Sequence, residues 1–148
     1  MKKTISFFLV VFAFSIIITA NTFCSESDIS VSVNGADIKT NVPPRIIDGR
    51  TMLPVRDIFE MMGATVIWTE STKEIKGVKG SNTVIMHIND TSFTLNGVEA
   101  SMDTPPVIIE GRTLAPARYV AESFGAKVSW NEKEKCIEII YDELLETT

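Results

Sequence analysis

Apolar and polar residues alternate in two stretches that each close on Asn-Gly. "SVSV" precedes Asn34-Gly35 and "ADIK" follows it; "SFTL" precedes Asn96-Gly97 and "VEAS" follows it. Period-two alternation predicts strands with one buried face, and Asn-Gly favours a two-residue hairpin because both residues tolerate positive φ. Pro43-Pro44 and Pro105-Pro106 come next, forbidding helix and holding the chain extended. "RIIDGRT" and "VIIEGRT" then read as short apolar strands turning at Asp-Gly or Glu-Gly. After Pro54 and Pro116 the period changes. Val55, Ile58, Phe59 and Met62 fall at helical spacing, and Ala117, Val120, Ala121 and Phe124 repeat it. Each set predicts a helix buried along one face, with proline in its first turn and Gly63 or Gly125 as its stop. "ATVIW" and "AKVSW" resume the alternation, with Val and Trp on one side. A polar turn and a further strand follow, weak in "IKGVKG" and strong in "CIEIIY". Between the two series, "NTVIMHIND" is an alternating strand closed by Asn89-Asp90.

The two series match without gaps at a spacing of 62 residues, Asn34 to Asn96. The same spacing carries Gly49-Arg50-Thr51 to Gly111-Arg112-Thr113, and Pro54, Arg56, Glu60, Val66 and Trp68 to Pro116, Arg118, Glu122, Val128 and Trp130. The expected fold class is α+β: a two-layer sandwich of mainly antiparallel meander sheet covered by two helices, with internal duplication. Residues 28–142 form one domain on this reading, built from repeats at 30–80 and 92–142 and followed by a tail at 143–148. A unit of that size alone buries too little, so the two copies are expected to pack together with approximate two-fold character.

Residues 1–24 read differently. Lys2 and Lys3 precede an apolar run from Ile5 to Ala20, and polar residues follow, the pattern of a secretory signal peptide cut somewhere within 20–27. The run is shorter than the roughly 20 apolar residues of a membrane span. A secreted, extracellular or cell-wall-associated protein is expected, without membrane attachment after cleavage. Cys24 lies beside the leader, which leaves Cys136 alone and the fold without an internal disulfide. The 14 basic and 19 acidic residues give a net charge of −5, and loss of Lys2 and Lys3 deepens it. An acidic surface excludes nucleic acid and anionic lipid as partners.

Candidate chemistry is sparse. His87 is the chain's one histidine and sits in an alternating strand, where a solvent-facing imidazole is the plain reading. No Gly-x-Ser-x-Gly stretch is present, and Glu60, Glu122, Glu70 and Glu132 fall on helix flanks and turns. No catalytic residue, metal site or cofactor is expected. Arg50, Arg56, Arg112 and Arg118 permit two readings: they brace the loop before each helix, with Glu60 and Glu122 four residues beyond Arg56 and Arg118, or they bind an anion. Trp68 and Trp130 likewise suit a core edge or a stacking platform. A site is expected only where the two copies face each other.

The combination of "VNG", "PP.I..GRTM.PVR", "GA.V.W" and a closing "I.I", followed with substitutions by both copies from about Ser30 to Asp142, resembles the copper amine oxidase N-terminal-like (stalk) domain, although the first copy has "IKG" at its close. Ala115 and Ala117 depart from the bulkier residues usual in that pattern. The resemblance implies an accessory domain, since copper and quinone in those oxidases belong to a separate catalytic domain. The function expected is a non-enzymatic module that binds cell-wall polymer or another exported protein, or acts as a spacer. Two alternatives stand: a small wall-active hydrolase using paired carboxylates, and an accessory or inhibitory subunit of an exported enzyme. Exposed hairpin edges leave pairing into a homodimer open.

Overall fold

The computed structural model describes residues 29–142. The leader, Cys24 and the tail at 143–148 lie outside the described residues. The first hairpin joins β1 (Ser30–Val33) to β2 (Ala36–Ile38), and the second joins β8 (Ser92–Leu95) to β9 (Val98–Ser101). Asn34 and Asn96 have φ of 49° and 52°, each followed by a glycine at positive φ, the turn that Asn-Gly predicts. The segments after Pro-Pro are also hairpins. β3 (Arg45–Ile47) turns at Asp48-Gly49 into β4 (Arg50–Pro54), and β10 (Val107–Ile109) turns at Glu110-Gly111 into β11 (Arg112–Pro116).

Each of these strands runs directly into a helix, α1 (Val55–Met61) or α2 (Ala117–Glu122). Pro54 and Pro116 were expected inside the first turn. They stand one residue before it, at ψ of 117° and 119°. Proline fixes only φ, so it serves the end of a strand as well as the start of a helix. Both helices end alike. Gly63 and Gly125 take positive φ, and their N–H groups donate to Glu60 and Glu122 carbonyls at 3.0 Å. Ala64 and Ala126 N–H donate back to Phe59 and Ala121, which completes a Schellman closure at each end.

The remaining strands are β5 (Thr65–Thr69), β6 (Glu74–Lys79), β7 (Asn82–His87), β12 (Lys127–Asn131) and β13 (Cys136–Ile140). The strands sort into three sheets rather than the single meander expected: β12-β13-β1-β2, β10-β11-β4-β3 and β5-β6-β7-β8-β9. Pairing is mainly antiparallel, except that β1 runs parallel to β13 with Val31 opposite Ile137. Pro-Pro lacks N–H groups at the point where a meander would continue, so each opening hairpin parts from the strands that follow it. The β1-β2 hairpin joins β12 and β13, and the β8-β9 hairpin joins β5 and β6 through β7.

The middle sheet carries the seam between the halves. β4 pairs antiparallel with β11, Leu53 opposite Ala115 and Met52 opposite Pro116. Leu53 and Ala115 are themselves 62 residues apart, so this pairing is centred on matching positions. Met52, Leu53, Leu114 and Ala115 are fully buried. Leu53 and Ala115 face the main core, with Ile58, Phe59, Val120 and Phe124 of the helices. Met52 and Leu114 face a smaller cluster with Val42. Burial on both faces explains why "TMLP" and "TLAP" do not alternate. The rings of Phe59 and Phe124 meet edge to face at 5.1 Å where the helices touch.

Gly77 explains the weak "IKGVKG" strand. A Cβ there would lie 2.7 Å from the Phe59 ring and 3.1 Å from Val84. At the matching positions of the other half stand Ala121 and Ile139, both buried. One half fills this part of the core from the helix, and the other fills it from the strand.

Candidate functional site

The six side chains singled out from the sequence converge on two clefts, and each cleft draws on both halves. The first, of about 510 Å³, is lined by Arg118 and Trp130 from the second half and by Arg50 and Ile46 from the first. The second, of about 420 Å³, is lined by Arg56 and Trp68 from the first half and by Arg112 and Ile108 from the second. The positions correspond throughout at the 62-residue spacing. The seam makes this geometry. Because β4 and β11 run antiparallel, the Gly-Arg-Thr turn opening each lies near the helix that ends the other.

The four arginines are exposed, and they are not equivalent. Arg50 pairs with Asp103 across the seam. Arg118 Nε lies 3.7 Å from Glu122 Oε1, a loose pair within one helix. Exposed pairs of this sort stabilise by about 0–1 kcal/mol, and the Arg118 pair stays within its own helix rather than reaching the loop before it. The side chains of Arg56 and Arg112 have no hydrogen-bond or ion-pair partner among the described residues. Glu60 therefore does not offset Arg56 as its spacing predicts.

The tryptophans occupy edge strands. Trp68 lies on β5, packs partly against the core and donates from Nε1 to Glu70 at 2.8 Å. Trp130 lies on β12, is 37% exposed, and donates to Glu132 at 2.5 Å. Glu70 also accepts from Lys73. The Lys73 and Trp68 hydrogen bonds hold the Glu70 carboxyl below its usual range. Each indole is thus fixed at its nitrogen, with its ring on a cleft wall.

Sequence reading missed Asn41, Asp103, Ile46 and Ile108, all of which line the clefts. Asn41 and Asp103 differ in charge at matching positions. Comparison of the two copies for differences, as well as for identities, would have found them. His87 lies outside both clefts, its Nε2 3.7 Å from Glu74. Cys136 is buried as a free thiol, which removes it from cross-linking at the surface.

Copper is tested by the same donors. Among the described residues no group of three or more His, Cys, Asp or Glu converges. With a single imidazole in the chain, the residues present do not fit a copper site. Among the described residues, no helix is long and apolar enough to cross a membrane.

Comparison with known proteins gives two findings. The chain is 23% identical over 116 residues to a protease inhibitor of Brevibacillus choshinensis, covering 78% of this chain and 35% of that protein. It therefore spans about a third of that relative's length. The sequence pattern of the copper amine oxidase N-terminal domain matches residues 32–139, a span that holds both helices and the seam between the halves. The chain belongs to the copper amine oxidase N-terminal domain family.

Proposed function

We propose that this protein is an exported, non-enzymatic binding module of the cell envelope or of another exported protein, built from two copies of one unit. Family membership supports a non-catalytic module. One observation carries the reading: the paired arginines and tryptophans gather into clefts that exist only where the halves meet. The clefts offer cations, indole faces and exposed isoleucines, which hold a ligand. Their carboxylates are Asp57 and Glu70 in one and Asp103 and Glu132 in the other. Each accepts a hydrogen bond from a neighbouring side chain, which suits a structural role more than proton transfer.

Incubation of the secreted protein with purified cell-wall sacculi tests this. Sedimentation with the sacculi and no release of soluble fragments is expected. Soluble muropeptides that disappear in Glu70→Gln or Glu132→Gln would instead establish the hydrolase. A second reading has support from the relative named a protease inhibitor. On that reading the protein blocks an exported protease, and adding it in excess to culture-supernatant proteases lowers their activity.

A further inference from the structure

The two clefts differ in how their arginines are paired. Over Trp130, Asp103 pairs with Arg50 and Glu122 stands beside Arg118. The position matching Asp103 in the other half is Asn41, which carries no charge. Its backbone N–H and its Nδ2 both donate to Asp57, at 2.9 and 3.1 Å. Arg112 thus lacks the carboxylate that Arg50 has, and Glu60, which matches Glu122, makes no ion pair with Arg56. The acids lining this cleft are occupied, Asp57 by Asn41 and Glu70 by Trp68 and Lys73. Asp57 and Glu70 keep their charge but are turned to other donors, which leaves the guanidinium groups of Arg56 and Arg112 unpaired in this cleft.

The walls of that cleft are edge strands. β5 carries Val66 and Trp68, β10 carries Ile108, and each strand is hydrogen-bonded to a neighbour on one side only. Ile108 is 46% exposed. Free strand edges pair with extended polypeptide, and alternate side chains of such a strand enter neighbouring pockets. A sugar has no use for that main-chain ladder, and a polyanion meets repulsion from the acidic surface.

We infer that the cleft over Trp68 receives an extended peptide bearing a carboxylate, which Arg56 and Arg112 bind while an apolar side chain of the peptide rests on Trp68 and Ile108. The carboxylate is that of a chain end or of an acidic side chain, the chemistry being the same. The inference rests on the reading of the chain as a binding module and names the ligand of one of its clefts. In the cleft over Trp130, Arg50 and Arg118 already face carboxylates, and Lys135 is a further cation on the wall.

Calorimetric titration with three peptides tests it: an alternating Val-Thr peptide with a free terminal carboxylate, its C-terminal amide, and the amide with one central glutamate. Binding at one site by the first or the third peptide is expected, with the plain amide weaker by about tenfold or more. The peptide that binds identifies the source of the carboxylate. Arg56→Gln and Arg112→Gln should each weaken that peptide by a similar factor, and Arg50→Gln should not. All three side chains are exposed, and unchanged melting confirms that the variants fold. Equal binding of acid and amide, no binding of any peptide, or equal losses in Arg50→Gln and Arg112→Gln would overturn the inference. So would saturable binding of a neutral glycan that depends on Trp68. Sacculus sedimentation of the same variants separates the two claims. If sacculi are held but no peptide is, the inference alone falls; loss of both defeats the module reading too.

Discussion

At the residue scale, volume decides more than charge. Phe59 and Gly77 occupy one site as a large and small pair, and the matching residues in the other half are Ala121 and Ile139. Phe59→Ala should cost about 3–5 kcal/mol, measured by urea unfolding, because the emptied ring volume cannot be filled from a glycine. Adding Gly77→Ile to that variant copies the other half and should recover part of the loss, read as a coupling in a double-mutant cycle. No recovery would show that the halves pack this region by different means. Arg118→Ala, by contrast, removes only an exposed pair and should change stability by less than about 0.5 kcal/mol. Glu70 provides a pH test. Its carboxyl is held below the usual glutamate range by Lys73 and Trp68, so this contact is intact above that range and is lost as pH falls through the lowered value. In a Trp130→Phe background, Trp68 emission should titrate with a midpoint below the ordinary 4.5, and Glu70→Gln should abolish the step.

At the element scale, the hairpin asparagines have a second use beyond their turns. Asn34 Nδ2 donates to the Tyr141 carbonyl, and its Oδ1 accepts from Tyr141 N–H, both at 2.8 Å. This closes the parallel seam of β1 with β13 beyond its last pair. Asn96 does the same kind of work toward β7, accepting from Thr83 N–H at 2.7 Å. Asn34→Gly retains the positive φ and removes only the side-chain bonds. It should cost about 1–2 kcal/mol and raise amide exchange at Tyr141 ahead of global unfolding. Protection at Tyr141 equal to wild type would assign the seam to the strand ladder alone. The dipeptide made the turn legible in the sequence. Its reach to a strand 107 residues away was not, because nothing local records which strand lies alongside.

At the scale of the whole molecule, the halves exchange strands. Each opening hairpin lies in a sheet with strands of the other half, and β4 and β11 share the middle sheet. A half alone would expose Leu53 or Ala115, a hairpin without its neighbour, and half of the main core. Residues 29–80 expressed alone should therefore show no cooperative thermal transition, nor should residues 81–142. Mixing the two should restore one transition with concentration-dependent melting. A folded isolated half would contradict the interlocked arrangement.

Alternation, helical spacing, Asn-Gly turns and glycine stops placed nearly every element, because those signals act over a few residues and depend on backbone sterics. The 62-residue spacing identified the arginines and tryptophans as matched sets. The division into three sheets, the parallel β1–β13 pair and the assembly of each cleft from opposite halves were decided by tertiary structure. Pairing between distant strands is set by which edges remain free and which faces remain apolar once the chain has folded back, and no local pattern carries that choice. The unequal pairing of Arg50 and Arg112 belongs to both levels: Asn41 and Asp103 stand in the sequence, but only the fold brings each to its arginine's cleft.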